Sequence, residues 1–95
     1  MKTRVLIVED HPKTLASMAS AVEAAADMTL VAAVPTLAEG LAQLAEADLA
    51  LVDLHLGEDS GLDLIAAARD VEGVSTLVVT MFGDERTTVA AIEAG

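Results

Sequence analysis

Leu49-Ala50-Leu51-Val52-Asp53-Leu54-His55-Leu56 is an apolar run that carries a carboxylate toward its far end. An unbroken apolar stretch such as Leu49 to Val52 suits a strand covered on both faces, as in a parallel sheet between helices. A strand lying between core and water would alternate instead. Asp53 falls where the covered strand runs out. Ligands of open α/β sheets bind just past the carboxyl ends of the strands, so an acid there is a site candidate. Taken by itself, Asp53 is equally compatible with a strand-ending residue or a helix cap.

The start of the chain repeats the arrangement, because Arg4-Val5-Leu6-Ile7-Val8 is a second buried-strand run and leads into Glu9-Asp10. If the two strands are neighbours, Glu9, Asp10 and Asp53 meet in one pocket. Three carboxylates that close repel one another, and either a raised pKa or a bound cation relieves them. Oxygen-only donors point to Mg²⁺, which is commonly held by one or two carboxylates together with waters and a phosphate.

The composition narrows the classes of function. A chain of 95 residues holds one small domain, spanning 1–95, and a domain of this size buries only about 60 to 65% of its unfolded surface. Phe82 is the single aromatic residue, so the core has to be built from Val, Leu, Ile, Met and closely packed alanines. A formal net charge of -11 argues against nucleic acid as a direct ligand, which requires clustered Lys and Arg, and against docking on anionic membranes. The absence of cysteine excludes disulfides and thiolate metal sites. The apolar run after Lys2 and Arg4 is cut short by Glu9-Asp10. It is too brief for a signal peptide, and no other stretch is long enough to span a bilayer. A soluble, cytoplasmic protein is expected.

Pro12 suits the first turn of a helix, where its missing N–H costs nothing, and Leu15, Met18, Ala19, Val22 and Ala26 follow one helical face. The pattern predicts helix 1 from Pro12 to Ala26, strand 2 from Thr29 to Val34, and helix 2 from a Thr36/Glu39 capping box to Glu46. Leu37, Leu41 and Leu44 form the apolar face of helix 2. After the Leu49 strand comes a polar, Gly-punctuated loop, Gly57-Glu58-Asp59-Ser60-Gly61. Ser60 with Asp63 resembles a second capping box, and helix 3 continues through Leu62, Ile65, Ala66 and Arg69. Glu72-Gly73 turns the chain into strand 4, Val74 to Thr80. Asp84 is the expected N-cap of helix 4, with Val89 and Ile92 on its buried side and Gly95 at its C′ position. The alternation βαβαβαβα implies a doubly wound parallel sheet with right-handed crossovers.

Strand 4 ends in Leu77-Val78-Val79-Thr80, which sets a hydroxyl at the same sheet edge as the acids. It is placed either to hydrogen-bond a phosphoryl oxygen or merely to end the strand. A carboxylate nucleophile, a divalent cation and a nearby donor together suit an acyl-phosphate.

Three motifs, Val5-Leu6-Ile7-Val8-Glu9-Asp10-His11-Pro12, Val52-Asp53-Leu54-His55-Leu56 and Thr80-Met81-Phe82, occur in the order and at the distances of a response-regulator receiver domain, which the whole chain resembles. The Asp-His-Pro and Thr-Met-Phe variants are most similar to the NarL/LuxR-type subfamily. The resemblance implies a flavodoxin-like fold with strand order 2-1-3-4-5. It implies that Asp53 is the phosphoacceptor for a sensor histidine kinase and that Thr80 is the switch residue. It further implies that Asp10 and Asp53 bind Mg²⁺ through their side chains, His55 through its backbone carbonyl and Glu9 through water. The imidazoles of His55 and His11 then have no metal to bind, and His11 reads as a helix-start residue. Such a domain is not an enzyme beyond its own phosphorylation and dephosphorylation.

The chain also departs from the family. Four βα units are present, and the fifth strand and helix are missing, together with a lysine that pairs with the phosphoryl group and an aromatic switch residue. Lys13 is the nearest basic residue in sequence, but no motif assigns it that role. Gly57 stands where proline is common. Met81 stands where many receivers carry a small residue, either narrowing access to Asp53 or lying on the surface. Phe82 is either a partner contact or a buried plug. An apolar strand 4 left at the sheet edge invites pairing with another chain, so self-association through that edge or by exchange of helix 4 is expected.

Two other readings compete. A degenerate module that works by protein contact alone fits the missing lysine but not the retained acids and Thr80. A Mg²⁺-dependent phosphohydrolase of the haloacid dehalogenase type also uses an Asp after a strand. That family needs a second acid two residues on, where this chain has His55.

Overall fold

The computed structural model describes residues 2–53, 55–56, 58–82 and 86–90. β1 (Thr3–Val8) lies inside the sheet, between β2 (Met28–Val34) and β3 (Leu49–Val52), and β6 (Ser75–Phe82) follows β3 on the other side. All three of these pairings are parallel. Parallel neighbours require crossovers, and α1 (Pro12–Ala24), α2 (Leu37–Gln43) and α3 (Gly61–Ala68) supply them. A short 3₁₀ turn, Leu44–Glu46, prolongs α2, which brings helix 2 to the expected end at Glu46.

β1 shows why the apolar runs are continuous. Val5, Leu6, Ile7 and Val8 are all fully buried, yet successive side chains point to opposite faces of the sheet. Leu6 and Val8 join Ala50, Val52, Leu44 and Leu64 under α2 and α3, while Val5 and Ile7 join Val22 under α1. Each such side chain contributes roughly 1.5–3 kcal/mol by leaving water. The α1 side is less completely filled. An apolar cavity of about 390 Å³ opens between Met18 and Met28 on one wall and Leu49, Leu51, Leu77 and Val79 on the other.

The helix starts follow their local chemistry. Pro12 occupies the first turn of α1, and His11 caps it, its Nδ1 accepting from the Thr14 N–H at 3.4 Å. Thr36 Oγ1 accepts from the Glu39 N–H at 3.2 Å and donates to Glu39 Oε1 at 2.9 Å, which ties the first turn of α2. Ser60 Oγ accepts from the Leu62 N–H at 3.2 Å to open α3. Gly73 has φ +87°, the left-handed turn that brings the chain into β6.

Four expectations are corrected. The Leu49 strand stops at Val52, and the residues after Asp53 turn back on themselves as a small antiparallel pair, β4 (His55–Leu56) with β5 (Asp59–Ser60). Leu41 is 42% exposed, and Gly40 is the buried residue of α2, because the helix approaches Val8 too closely for a side chain. Helix 3, expected to continue through Arg69, ends at Ala68 with Arg69 as its C-cap, and Leu64, Ile65 and Ala68 form its buried side.

The fourth correction concerns helix 4. Arg86–Ala90 is a strand, β7, antiparallel to β6 in the register Val78↔Ala90 to Phe82↔Arg86. Thr87, Thr88 and Val89 are consecutive β-branched residues, poor in a helix and good in a sheet. The edge of β6 offers backbone groups that need partners. The expected cap Asp84, together with Ile92 and Gly95, lies outside the described residues.

Candidate functional site

The site is built by register. Val8 of β1 pairs with Val52 of β3, so Glu9 and Asp53 leave the sheet side by side at the carboxyl ends of adjacent strands. The backbone holds both: the Asp53 N–H donates to the Val8 carbonyl at 3.0 Å, and the Glu9 N–H donates to the Val34 carbonyl at 3.1 Å. Asp10 follows before α1 begins. Each of Glu9, Asp10 and Asp53 offers an oxygen, and these oxygens all lie within 4.8 Å of one another.

The three acids differ in environment. Asp10 is exposed and Asp53 half-buried, whereas Glu9 is only 3% exposed, unusual for a carboxylate. Its Oε2 is buried with no hydrogen-bond partner among the described residues. Burial pushes the Glu9 carboxyl up to about 8, helped by a side-chain hydrogen bond with Asp53 and by the charges of Asp53 and Asp10. A proton therefore holds this cluster together near neutral pH unless a cation replaces it.

The residues fit a hard divalent cation. The donors are oxygen only, three carboxylates converge, and one buried oxygen lacks a partner. Glu9, Asp10 and Asp53, the three acids singled out in the sequence, are thus brought together. His55 stands two residues beyond Asp53 in β4, in register with Ser60. Thr80 lies in β6 two positions beyond Val78, the partner of Val52, and its backbone faces Thr88 of β7. That register puts Thr80 past the carboxyl end of β3, at the same sheet edge as the acids. Lys13 lines a cleft along α1 with His11, Thr14 and Ser17.

The family model of the response regulator receiver domain matches residues 5–95. The chain belongs to this family. The alginate biosynthesis transcriptional regulatory protein AlgB of Pseudomonas aeruginosa is 33% identical to the receiver over 93 residues, which is 97% of this chain and 21% of that protein. The chain therefore spans about a fifth of the length of its AlgB relatives. A response regulator protein from Burkholderia pseudomallei, whose crystal structure holds a phosphorylated aspartic acid, a calcium ion and citrate, superposes with a TM-score of 0.74 at 28% identity. That match covers 86% of this chain and 49% of the other. The receiver domain of NarL from Mycobacterium tuberculosis gives a TM-score of 0.78 over 87% of this chain and 69% of its own, and at 23% identity it shows the shared fold alone. Among the described residues no helix of the receiver is long and apolar enough to cross a membrane.

Proposed function

We propose that this receiver domain, spanning residues 1–95, accepts a phosphoryl group on Asp53 from a sensor histidine kinase in a Mg²⁺-dependent reaction. The observation that carries the reading is the convergence of Glu9, Asp10 and Asp53, whose carboxylates each offer an oxygen within 4.8 Å of the others, with Glu9 itself buried. A carboxylate oxygen of Asp53 attacks phosphorus, the bond from phosphorus to the donor's histidine nitrogen breaks, and that nitrogen takes up a proton to leave as neutral imidazole. Asp10 and Asp53 would hold the cation through their carboxylates, His55 through its main-chain carbonyl and Glu9 through water. When bound, the cation supplies positive charge against the oxygens of the transferred group. Thr80 acts as the hydroxyl that turns toward the phosphoryl group and carries the signal to a partner. The chain works as a signalling module of the cytoplasm and catalyses nothing beyond its own phosphorylation and dephosphorylation. The Asp10-His11-Pro12 and Thr80-Met81-Phe82 motifs support placement in the NarL/LuxR-type subfamily.

Phosphoryl uptake from a small acyl-phosphate donor, followed by intact mass with and without Mg²⁺, tests the reading. Uptake by the wild-type chain that disappears in Asp53→Asn or without Mg²⁺ is the expected result. A folded wild-type chain that takes up nothing points instead to a module acting by contact alone.

DNA is not a ligand of this chain in our reading, given its charge of -11. Self-association takes a narrower form than the sequence suggested, because β7 pairs with β6 from Val78 to Phe82. A dimer built on that edge would exchange β7 between two copies. Sedimentation across a wide concentration range tests it, and a single monomer boundary throughout would count against it.

A further inference from the structure

Gly61 opens α3 directly after its cap, Ser60. A Cβ at Gly61 would overlap the carbonyl oxygen of Asp53, lie 2.9 Å from that residue's carbonyl carbon and 2.8 Å from Val52 Cγ1. Side chains do not tolerate such distances, so one of the two backbones would have to move. The first turn of α3 is thus seated directly on the main chain of Asp53.

Gly40 gives the comparison. A Cβ there would also be crowded, at 2.6 Å from Val8 Cγ2, 3.3 Å from Val8 Cγ1 and 3.4 Å from Leu64 Cδ1. All three are side-chain atoms rather than main chain, although the buried Val8 has little room to yield. The atoms facing Gly61 include the main-chain carbonyl of Asp53 itself, and the N–H of the same residue is tied to the Val8 carbonyl. The main chain of Asp53 is therefore fixed from two directions, by β1 and by α3. Displacing its carbonyl tilts the residue and swings its carboxylate away from Glu9 and Asp10.

We infer that Gly61 is a positioning residue for the Asp53 carboxylate: its missing side chain lets α3 abut Asp53 and fix where that carboxylate stands relative to Glu9 and Asp10. The inference rests on the reading of those three acids as the cation and phosphoryl site. Misplacing a reacting group by about 1 Å costs on the order of 100-fold in rate.

The test compares wild type, Gly61→Ala and Gly73→Ala in the full chain. It measures thermal unfolding without cation, the Mg²⁺ dissociation constant by calorimetry, and the rate of phosphoryl uptake at saturating Mg²⁺. Both variants are expected to unfold at lower temperature. Gly73→Ala, strained by its φ of +87° but with open space around the added methyl, is expected to keep Mg²⁺ affinity and uptake within about 2-fold, as independent sites do, while Gly61→Ala weakens Mg²⁺ binding about 10-fold or more and slows uptake on the order of 100-fold. If Gly61→Ala is unfolded in buffer, all three proteins are compared in trimethylamine N-oxide, which favours the compact state. Wild-type affinity and uptake in folded Gly61→Ala overturn the inference. So does a Gly61→Ala chain that stays unfolded there while Gly73→Ala folds, since Gly61 would then serve the fold and not the site. A wild-type chain that binds no Mg²⁺ overturns the site reading, and this inference with it.

Discussion

Glu9 and Asp53 stand side by side because Val8 and Val52, the residues before them, are partners in the parallel register of β1 and β3. Burial, and after it the adjacent Asp53, raises the Glu9 carboxyl from 4.5 to about 8. The raised value has a stability consequence whose sign is fixed. Between the unfolded and folded values the folded state holds a proton that the unfolded state has released, so stability falls as pH rises. The cation-free chain is expected to lose stability from about pH 4.5 to about pH 8 and to level off above, the loss bounded at roughly 5 kcal/mol. Urea titrations across that range in EDTA measure it. Added Mg²⁺ is expected to reverse the slope, because deprotonated acids bind the cation and proton and metal compete. A flat profile in EDTA would show that Glu9 is not held protonated.

Asp53→Asn removes the charge beside Glu9 while keeping the shape of the side chain. With a like charge gone, the cation-free variant is expected to be more stable than wild type at pH 8 by about 1–2 kcal/mol, although it has lost its nucleophile. At pH 5, where Glu9 is protonated in both proteins, the difference is expected to shrink. Paired thermal melts at the two pH values decide it. Equal stability at pH 8 would mean that Asp53 and Glu9 do not sense each other's charge.

The acids were legible in the sequence because each ends an apolar run, and strands covered on both faces write themselves as such runs. What the sequence could state only conditionally was that the two strands are neighbours, since pairing partners are chosen across the chain. The helix starts were legible for a local reason: His11, Thr36 and Ser60 bond within the first turns they cap, and Pro12 fits the first turn of α1 without an N–H. The misses come from contacts that the apolar pattern does not encode. Leu37, Leu41 and Leu44 mark a regular face, but the approach of α2 to Val8 makes Gly40 the contact instead. Leu54-His55-Leu56 continues the apolar run on paper, yet the chain turns back at that point to pair with Asp59–Ser60. Gly61 looked like loop punctuation, because only the folded chain brings α3 against Asp53.

Thr76 is 3% exposed in β6, and its Oγ1 is buried with no hydrogen-bond partner among the described residues. An unsatisfied buried hydroxyl costs free energy, whereas a methyl group in its place costs none of that desolvation. Thr76→Val keeps the β-branched shape, and we expect it to stabilise the chain by about 0.5–2 kcal/mol with phosphoryl uptake unchanged. Denaturant midpoints at constant m-value measure the gain. A loss of stability would reveal that the hydroxyl has a partner, such as a buried water.

The pairing of Arg86–Ala90 with β6 makes a prediction whose sign a helix there would reverse. Thr87 and Thr88 stand opposite Met81 and Thr80 in the antiparallel register. Replacing both threonines by alanine lowers strand preference and raises helix preference. For a strand, Thr87→Ala with Thr88→Ala is expected to destabilise the chain by about 1 kcal/mol and to speed amide exchange in β6 from Val78 to Phe82, because that edge loses its cover. A stabilised double variant with slower exchange would assign the segment to a helix, and the edge of β6 would then be free to pair with a second copy.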